Sequence, residues 1–354
     1  PGLDVSGLDK NGGQVTEGYG TAIWSSPEWQ DAAVAWMDEQ LLTAGIQRTG
    51  PVQHPHIRPW ATVIRAPTST GVVWLKATGP GTSFEVRLYP LLAALVPDDV
   101  LTPIAADPHR GWILLPDGGP SIGERLTGPA LGEALVAALV QYAHLQVTLA
   151  DHTSELLATG VSDMRPAVMP ERFEQVLEIG HQEVARSGLP ADRAQLQRVA
   201  GLRGVVVDWC AELAESRLPP SLDHNDLHPW NILTGAADHP LFYDWGDSVL
   251  AHPFAAMLVP LGFVRELFDV PLDDPLFQRA RDGYLDVFRQ LAPGEDLVST
   301  LETACRVAKI ARVLTWERAL VAAREQDEVV RDDYQQAPLQ TLFSLLDESY
   351  LGGA

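Results

Sequence analysis

Lysine is scarce in this chain: of 25 basic residues only Lys10, Lys76 and Lys309 are lysines, the other 22 being arginines. Any chemistry that needs a lysine has few places to find one. Cysteine is scarcer still, with Cys210 and Cys305 alone, which excludes a disulfide framework. No run of about 18 apolar residues occurs, and the longest candidate, 254–264, is interrupted by Pro260, so no membrane-spanning helix is expected. The first twenty residues are polar and glycine-rich and have neither a basic n-region nor an apolar h-region, so no secretory signal is visible. The expectation is a soluble, cytoplasmic protein. Positive charge is also short. The net charge of −22 repels phosphates at long range, which argues against a nucleic-acid or anionic-membrane partner. It is compatible with a cationic substrate, and equally with a general acidic solubility bias.

What is present is ample apolar material, 46% of 354 residues, enough for globular cores and more than one simple core uses. Two lobes are therefore expected. After a tail taken as 1–25, Ser25-Ser26-Pro27-Glu28 reads as a helix start, and Trp29, Ala32, Ala33, Trp36 and Leu41 recur at helical spacing until Gly45. Strand-like runs follow at 62–64 and 72–76, separated by turn-forming residues 67–71. Thr82 opens a helix with Phe84, Leu88, Leu91, Leu92 and Leu95 on one face, and short strands are expected near 100–104 and 112–115. Beyond Gly119 the pattern turns helical, at 129–150, 171–187, 192–216, 275–291, 298–325 and 336–348, with an irregular insert at 221–253. The order is a small β lobe with one inserted helix, then a larger helical lobe. That is α+β rather than alternating βαβ.

The strongest chemical signal is His224-Asn225-Asp226-Leu227-His228-Pro229-Trp230-Asn231, followed by Tyr243-Asp244-Trp245-Gly246-Asp247. Phosphoryl transfer needs a carboxylate beside the attacking hydroxyl and hard oxygen ligands for Mg²⁺ near the phosphates. Asp226 can partner the hydroxyl. Asn231 can give Mg²⁺ a neutral amide oxygen, and Asp244 a charged one. Pro229 stops a helix from running through the segment, so 224–231 should be a loop. His224 and His228 are four apart with an acid between them. A zinc-protease motif, however, needs a helix and a Glu directly after the first His, and Asn225 and Pro229 defeat both.

The pattern His-x-Asp-x-x-x-x-Asn, then Asp-Trp-Gly thirteen residues on, resembles the motif of aminoglycoside phosphotransferases, choline kinases and related small-molecule kinases. The resemblance implies a bilobal, protein-kinase-like fold, with ATP and Mg²⁺ as co-substrate and metal. It also implies that Asp226 is catalytic and that Asn231 and Asp244 bind the metal. Asp247 either assists a second metal or caps the following turn. His228, inside the motif, is counted with the nucleotide-binding residues. The family also uses a strand lysine on the phosphates, held by a helix carboxylate. Lys76 has no rival in its half of the chain, and Glu85 is the only carboxylate between Lys76 and Pro97. A second reading has Glu85 closing a capping box with Thr82. The segment from Trp112 to Gly119 resembles the hinge that reads adenine through its backbone. Pro116 has no N–H, so the Asp117 N–H and the Leu115 carbonyl are the expected pair, though an ordinary strand-turn segment would look alike.

Three features depart from the family pattern. Asn225 replaces a common glycine, although Asn tolerates left-handed backbone. Ala251-His252-Pro253 stands where many members have Gly-Asp-Pro. No glycine-rich phosphate loop is evident; Gly50-Pro51 and His54-Pro55-His56 occupy that region, with a His54–His56 metal pair as one further option. The resulting division is an N-lobe of 26–117 with a hinge near Pro116, then a helical C-lobe of 118–354. Only nine residues separate Asp244 from Phe254, too few for a segment that seats a peptide, so a small-molecule acceptor is expected. Acids after the metal loop (Asp247, Glu266, Asp269, Asp273 and Asp274) and the ring of Trp316 point to an amine-bearing acceptor, such as an aminoglycoside-like antibiotic, an amino sugar or an amino alcohol. The same acids could be a solvated helix face, with Trp316 in the core. A kinase of neutral sugars is the alternative, and a nucleotide-binding pseudokinase module the rival from another class.

Overall fold

The computed structural model describes residues 18–235, 239–326, 330 and 332–352; Lys10 and most of the expected tail lie outside them. The first described elements are two helices, α1 (Thr21–Trp24) and α2 (Pro27–Thr43). Ser26 caps α2 as its sequence suggests, its Oγ accepting from the Trp29 N–H at 3.3 Å, with Pro27 in the first turn. The tail expected through residue 25 ends earlier. Trp24 is 1% exposed and its ring lies 6.5 Å from that of Trp29, so apolar burial orders the chain before α2 begins.

Five strands follow: β1 (Gln53–Ile57), β2 (Ala61–Thr68), β3 (Gly71–Thr78), β4 (Ala105–Asp107) and β5 (Trp112–Pro116). They form one antiparallel sheet in the order β1-β2-β3-β5-β4. Pro55 is tolerated because β1 is an edge strand with a register break between Gln53 and His56. Alternation along β3 sends Val73, Leu75 and Ala77 into the cluster under α2, where Trp112 meets Trp29 and Trp36 edge-on at 5.7 and 5.6 Å. Trp74 and Lys76 consequently point to the other face. That face is covered by α3 (Glu85–Leu95), which begins after a short 3₁₀ turn, Pro80–Thr82. The strand expected at 100–104 is displaced to β4. Pro103 removes a ladder donor, and Val100 makes only an isolated bridge to Phe242.

The helical lobe comprises α4 (Ile122–Arg125), α5 (Gly128–Leu149), α6 (Thr153–Ala158), α7 (Met169–Ser187), α8 (Pro190–Ala200), α9 (Arg203–Glu215), α10 (Leu258–Phe268), α11 (Pro275–Phe288), α12 (Leu297–Glu325) and α13 (Asp332–Phe343). The helix expected over 192–216 is two helices, broken at Gly201 and Leu202. The one expected over 336–348 starts at Asp332 and gives way to a 3₁₀ turn, Ser344–Leu346. Among the described residues no helix is long and apolar enough to cross a membrane.

Short strands inside this lobe position the chemistry. β6 (Ser162–Asp163), β10 (Val249–Ala251) and β7 (Ser221–Asp223) form one small sheet, and β8 (Ile232–Leu233) pairs with β9 (Leu241–Phe242). Residues 224–231 connect β7 to β8, and residues 243–248 connect β9 to β10. Both motifs are thus loops whose two ends are fixed by strand pairing. α5 supports them from below: the buried Tyr142 hydroxyl donates to the Leu222 carbonyl at 3.0 Å and accepts from the His224 N–H at 2.8 Å.

Candidate active site

The loop after β7 turns at Asn225, whose φ of 59° lies in the left-handed region that the residue type tolerates. Its N–H donates to Asp223 Oδ1 at 2.7 Å, and its side-chain amide donates to Thr315 Oγ1 at 2.7 Å and to the Asp247 carbonyl at 3.3 Å. A glycine would give the same turn without these ties. The His224 ring is buried and meets the Tyr243 carbonyl through Nε2 at 2.9 Å, joining the two loops. Burial lowers its pKa, so it acts as a neutral donor. Asp226 follows. Asn231 Nδ2 donates to the Asp226 carbonyl at 2.9 Å and to Asp226 Oδ2 at 3.2 Å, and His228 Nε2 lies 3.5 Å from that same oxygen.

Asp244 also sits at positive φ, 65°, so its carboxylate projects where the chain turns, and its N–H donates to the Tyr89 hydroxyl of α3 at 3.2 Å. Lys76 reaches it from the sheet: Lys76 Nζ lies 2.6 Å from Asp244 Oδ1 and 2.7 Å from Glu85 Oε2. The ion-pair reading of Glu85 is therefore realised. The capping box is not, since α3 has no side-chain cap and the Thr82 hydroxyl turns to the Gly79 carbonyl at 3.5 Å. Burial pushes the Glu85 carboxyl up to about 7 against the pull of Lys76. Burial likewise raises Asp244, but Lys76 outweighs it and holds that group below its ordinary value. For Lys76 itself burial opposes the charge, yet the two carboxylates prevail and keep the ammonium protonated. Gly246 makes this approach possible, because a Cβ there would come within 3.3 Å of Glu85 Oε2.

The donors present suit a hard cation. The Asn231 amide donates to Asp226 through Nδ2, which leaves its oxygen for a metal, and the Asp244 side chain is 47% exposed with Lys76 on one oxygen only. Among the described residues no three His, Cys, Asp or Glu side chains gather as a metal group. Mg²⁺ commonly takes one or two protein oxygens and completes its shell with phosphates and water. The His54–His56 option gains no third ligand; the His54 ring pairs with Thr62 Oγ1 at 2.7 Å and stacks on Trp29. His56 belongs to the cleft instead, close enough for Asp244 and Lys76 to influence its charge, while burial and Arg58 lower its pKa.

The two groups expected at the hinge are drawn into the sheet. The Asp117 N–H donates to the Val72 carbonyl at 3.0 Å, so it is not available to a base. Antiparallel pairing alternates, which makes Trp74–Leu115 the next exchanging pair and turns the Leu115 carbonyl toward β3. The Pro116 carbonyl, next in the alternation, faces away from β3. The Asp117 side chain accepts from Trp74 Nε1 at 2.8 Å.

Sequence reasoning missed Arg312. Its Nη2 lies 2.7 Å from Asp226 Oδ1, its Nη1 donates to the Asn225 carbonyl, and its Nη1 is 3.6 Å from Asp247 Oδ2. A signal existed: Cys305, Ala308, Arg312 and Thr315 fall on the buried face of α12, and a charge at such a position asks for a partner. Asp247 therefore faces a cation, and the raising of its pKa to about 6 follows from burial and then from Asp226 nearby. The Trp316 ring expected to meet an acceptor amine is covered by the Arg312 guanidinium at 5.2 Å. Asp274, counted among the acids of the pocket, caps α11 by accepting from Leu276 N–H at 2.7 Å. On the other side of Asp226, His228, Trp230 and Phe263 form an aromatic group, with His228 5.3 Å and Trp230 6.1 Å from Phe263. His252, standing where many members have Asp, does an aspartate's work as a cap, its Nδ1 accepting from the Phe254 N–H at 3.2 Å.

A small antiparallel sheet carrying a paired lysine, set over two strand-anchored loops with Asp226, Asn231 and Asp244, defines a kinase-like phosphotransferase. Residues 74–293 match the phosphotransferase enzyme family, and the chain belongs to that family, whose members use a nucleotide co-substrate. It is a phosphotransferase of the small-molecule kind. No curated protein matches it in sequence. Solved structures share its fold. A choline/ethanolamine kinase family protein from Mesorhizobium loti aligns over 91% of this chain and 96% of its own at 16% identity, with a TM-score of 0.56. Choline kinase from Streptococcus pneumoniae aligns over 88% and 98% at 11% identity, with a TM-score of 0.54. The GDP complex of an aminoglycoside 2'-phosphotransferase aligns over 88% and 96% at 15% identity, with a TM-score of 0.54.

Proposed function

We propose that this protein transfers the γ-phosphoryl group of ATP, as its Mg²⁺ complex, to a hydroxyl of a small amine-bearing molecule. The observation that carries the reading is the double pairing of Lys76 with Glu85 and Asp244, which joins the sheet, α3 and the metal loop at one point. In this reading the N-lobe is 26–117 and the C-lobe 118–354. Lys76 positions the phosphates, Glu85 holds Lys76, and Asn231 and Asp244 hold Mg²⁺, which when bound neutralises phosphate charge. The Pro116 carbonyl reads the base. Asp226 orients the acceptor hydroxyl and takes its proton as the acceptor oxygen bonds to the γ-phosphorus. The bond from that phosphorus to the β–γ bridging oxygen breaks, and ADP leaves.

A small acceptor is supported by the chain after Asp244, which passes one 3₁₀ turn, Trp245–Asp247, and enters β10 directly. An amine is supported by the net charge of −22 and by the aromatic group of Trp230 and Phe263 beside Asp226. The test is a mass-spectrometric screen of hydroxyl compounds with Mg·ATP, wild type against Asp226→Asn. The wild type should yield a product heavier by one phosphoryl group. D226N should turn over at least ~10²-fold more slowly, a usual acid–base contribution, while binding Mg·ATP almost as well. Near wild-type turnover by D226N would remove Asp226 from the transfer step.

A further inference from the structure

Helix α12 brings Arg312 to the turn that carries Asp226, and the residue is tied there from several sides. One nitrogen holds Asp226 Oδ1 at 2.7 Å, and the other donates to the Asn225 carbonyl and lies 3.6 Å from Asp247 Oδ2. The side chain is 10% exposed, and the guanidinium lies 5.2 Å from the centre of the Trp316 ring. Thr315, three residues further along α12, accepts from the Asn225 side chain at 2.7 Å. Stability alone accounts poorly for this arrangement, because a buried ion pair often gains little over apolar side chains of the same volume. A lysine could not reproduce it either, since a point charge lacks the planar fork that serves two carboxylates and a carbonyl together.

We infer that Arg312 is a positioning residue for the transfer step: it grips Asp226 by Oδ1, so that Oδ2 is presented to the acceptor hydroxyl, and holds Asp226 beside Asp247 despite their like charges. The inference rests on the phosphotransferase reading above, in which Asp226 receives the hydroxyl proton. In the loose transition state of phosphoryl transfer the acceptor hydroxyl is oriented more than it is deprotonated before the phosphorus–oxygen bond breaks. Orientation is what Arg312 supplies. Asn231 Nδ2, 3.2 Å from Oδ2, fixes the other edge of the same carboxylate.

The experiment compares wild type with Arg312→Ala, Arg312→Lys and D226N, using Mg·ATP with water as the acceptor and ADP release as the rate. Mg·ATP affinity and melting temperature are measured alongside. R312A should lose at least ~30-fold in rate while keeping Mg·ATP affinity within about two-fold, since Lys76 and Asp244 are untouched; R312K should recover little of the loss. Guanidinium chloride at about 20 mM should restore part of the rate to R312A but not to D226N, and sodium chloride at the same ionic strength should restore neither. Wild-type rates in R312A or R312K overturn the inference. So does an R312A loss that tracks the unfolded fraction and is indifferent to guanidinium. If R312A does not fold, R312K decides, because it keeps the charge and loses the fork. The two readings fail differently: an active D226N removes the base assignment itself, whereas an inactive D226N beside active R312A and R312K removes only Arg312.

Discussion

Lys76 and Asp244 lie 2.6 Å apart, nitrogen to oxygen, although 168 residues of chain separate them. The contact joins the sheet of the small lobe to the loop between β9 and β10 in the large one. Lys76 also holds the fully buried Glu85 at 2.7 Å, so one ammonium serves two carboxylates. In the proposed function phosphates and metal would take over as partners of Lys76 and Asp244 when Mg·ATP binds, and Glu85 would remain to hold the lysine.

Lys76→Ala should accordingly reduce turnover by ~10²-fold or more, and Glu85→Gln by a smaller factor in the same direction. In a double-mutant cycle the two losses should be clearly less than additive, because both disable one function. Full additivity, with a drop in melting temperature confined to E85Q, would assign Glu85 to α3 stability instead.

Asn231 and Asp244 supply the oxygens proposed for Mg²⁺. Asp244→Ala should shrink the gain in ATP affinity that Mg²⁺ gives over EDTA by at least ~10-fold, and Asn231→Ala by less, since a charged oxygen binds Mg²⁺ more strongly than an amide oxygen. Titrations with a fluorescent ATP analogue, with and without Mg²⁺, measure both. An undiminished Mg²⁺ effect in D244A would take that residue out of the metal site.

The parts of this site that were legible in the sequence are those that lie on one short stretch or follow one period. Asp226 and Asn231 share a single loop, and strand alternation with a helix directly after it brings Lys76 to Glu85. Arg312 carried only the signal of a charge on an apolar helix face, and its partner could not be read because it lies 86 residues away. The pairing of the Asp117 N–H with Val72 was not legible because the parity of a ladder depends on which pairs exchange hydrogen bonds, and one strand alone does not carry that. β4 escaped because Ala105, Ala106 and Asp107 have no strand preference of their own and pair only because β5 lies beside them.

Asp223 offers a pH test of the loop's foundation. It is 1% exposed, Oδ1 accepts from the Asn225 N–H, and Oδ2 has no hydrogen-bond partner among the described residues. Burial, only partly offset by that N–H and by Arg312, pushes its carboxyl from an ordinary 3.8 up to about 7. The folded state thus holds this proton more tightly than the unfolded one. The contribution is full below about pH 4, declines as pH rises, and is lost above about 7. Asp223→Asn keeps the acceptor oxygen and removes the charge. It should melt at least ~2 °C higher than wild type at pH 8, with the gap closing toward pH 5. A constant offset at both pH values, or a less stable D223N at pH 8, would show that the carboxylate is not a buried liability.

Two of the features first expected to draw an amine are already engaged within the chain: Asp247 faces Arg312, and the ring of Trp316 is covered by the same guanidinium. What stands open beside Asp226 is Trp230, 39% exposed, with its ring 6.1 Å from Phe263 and 5.9 Å from His228, which itself lies 3.5 Å from Asp226 Oδ2. Glu266 is exposed one helical turn beyond Phe263 on α10. An ammonium group is attracted to the faces of such rings and to a nearby carboxylate, and the second attraction weakens with salt. A matched pair of acceptors, an amino compound and its neutral deoxyamino analogue, should therefore differ in KM, the neutral one being higher. Salt should raise KM for the amine only. Trp230→Ala should raise the amine's KM by about ten-fold, with little change in the KM for Mg·ATP, if the ring contacts the acceptor as proposed. Efficient phosphorylation of neutral sugars with amines ignored, and a W230A variant indistinguishable from wild type, would reassign the acceptor while leaving Asp226, Asn231 and Asp244 in their proposed roles.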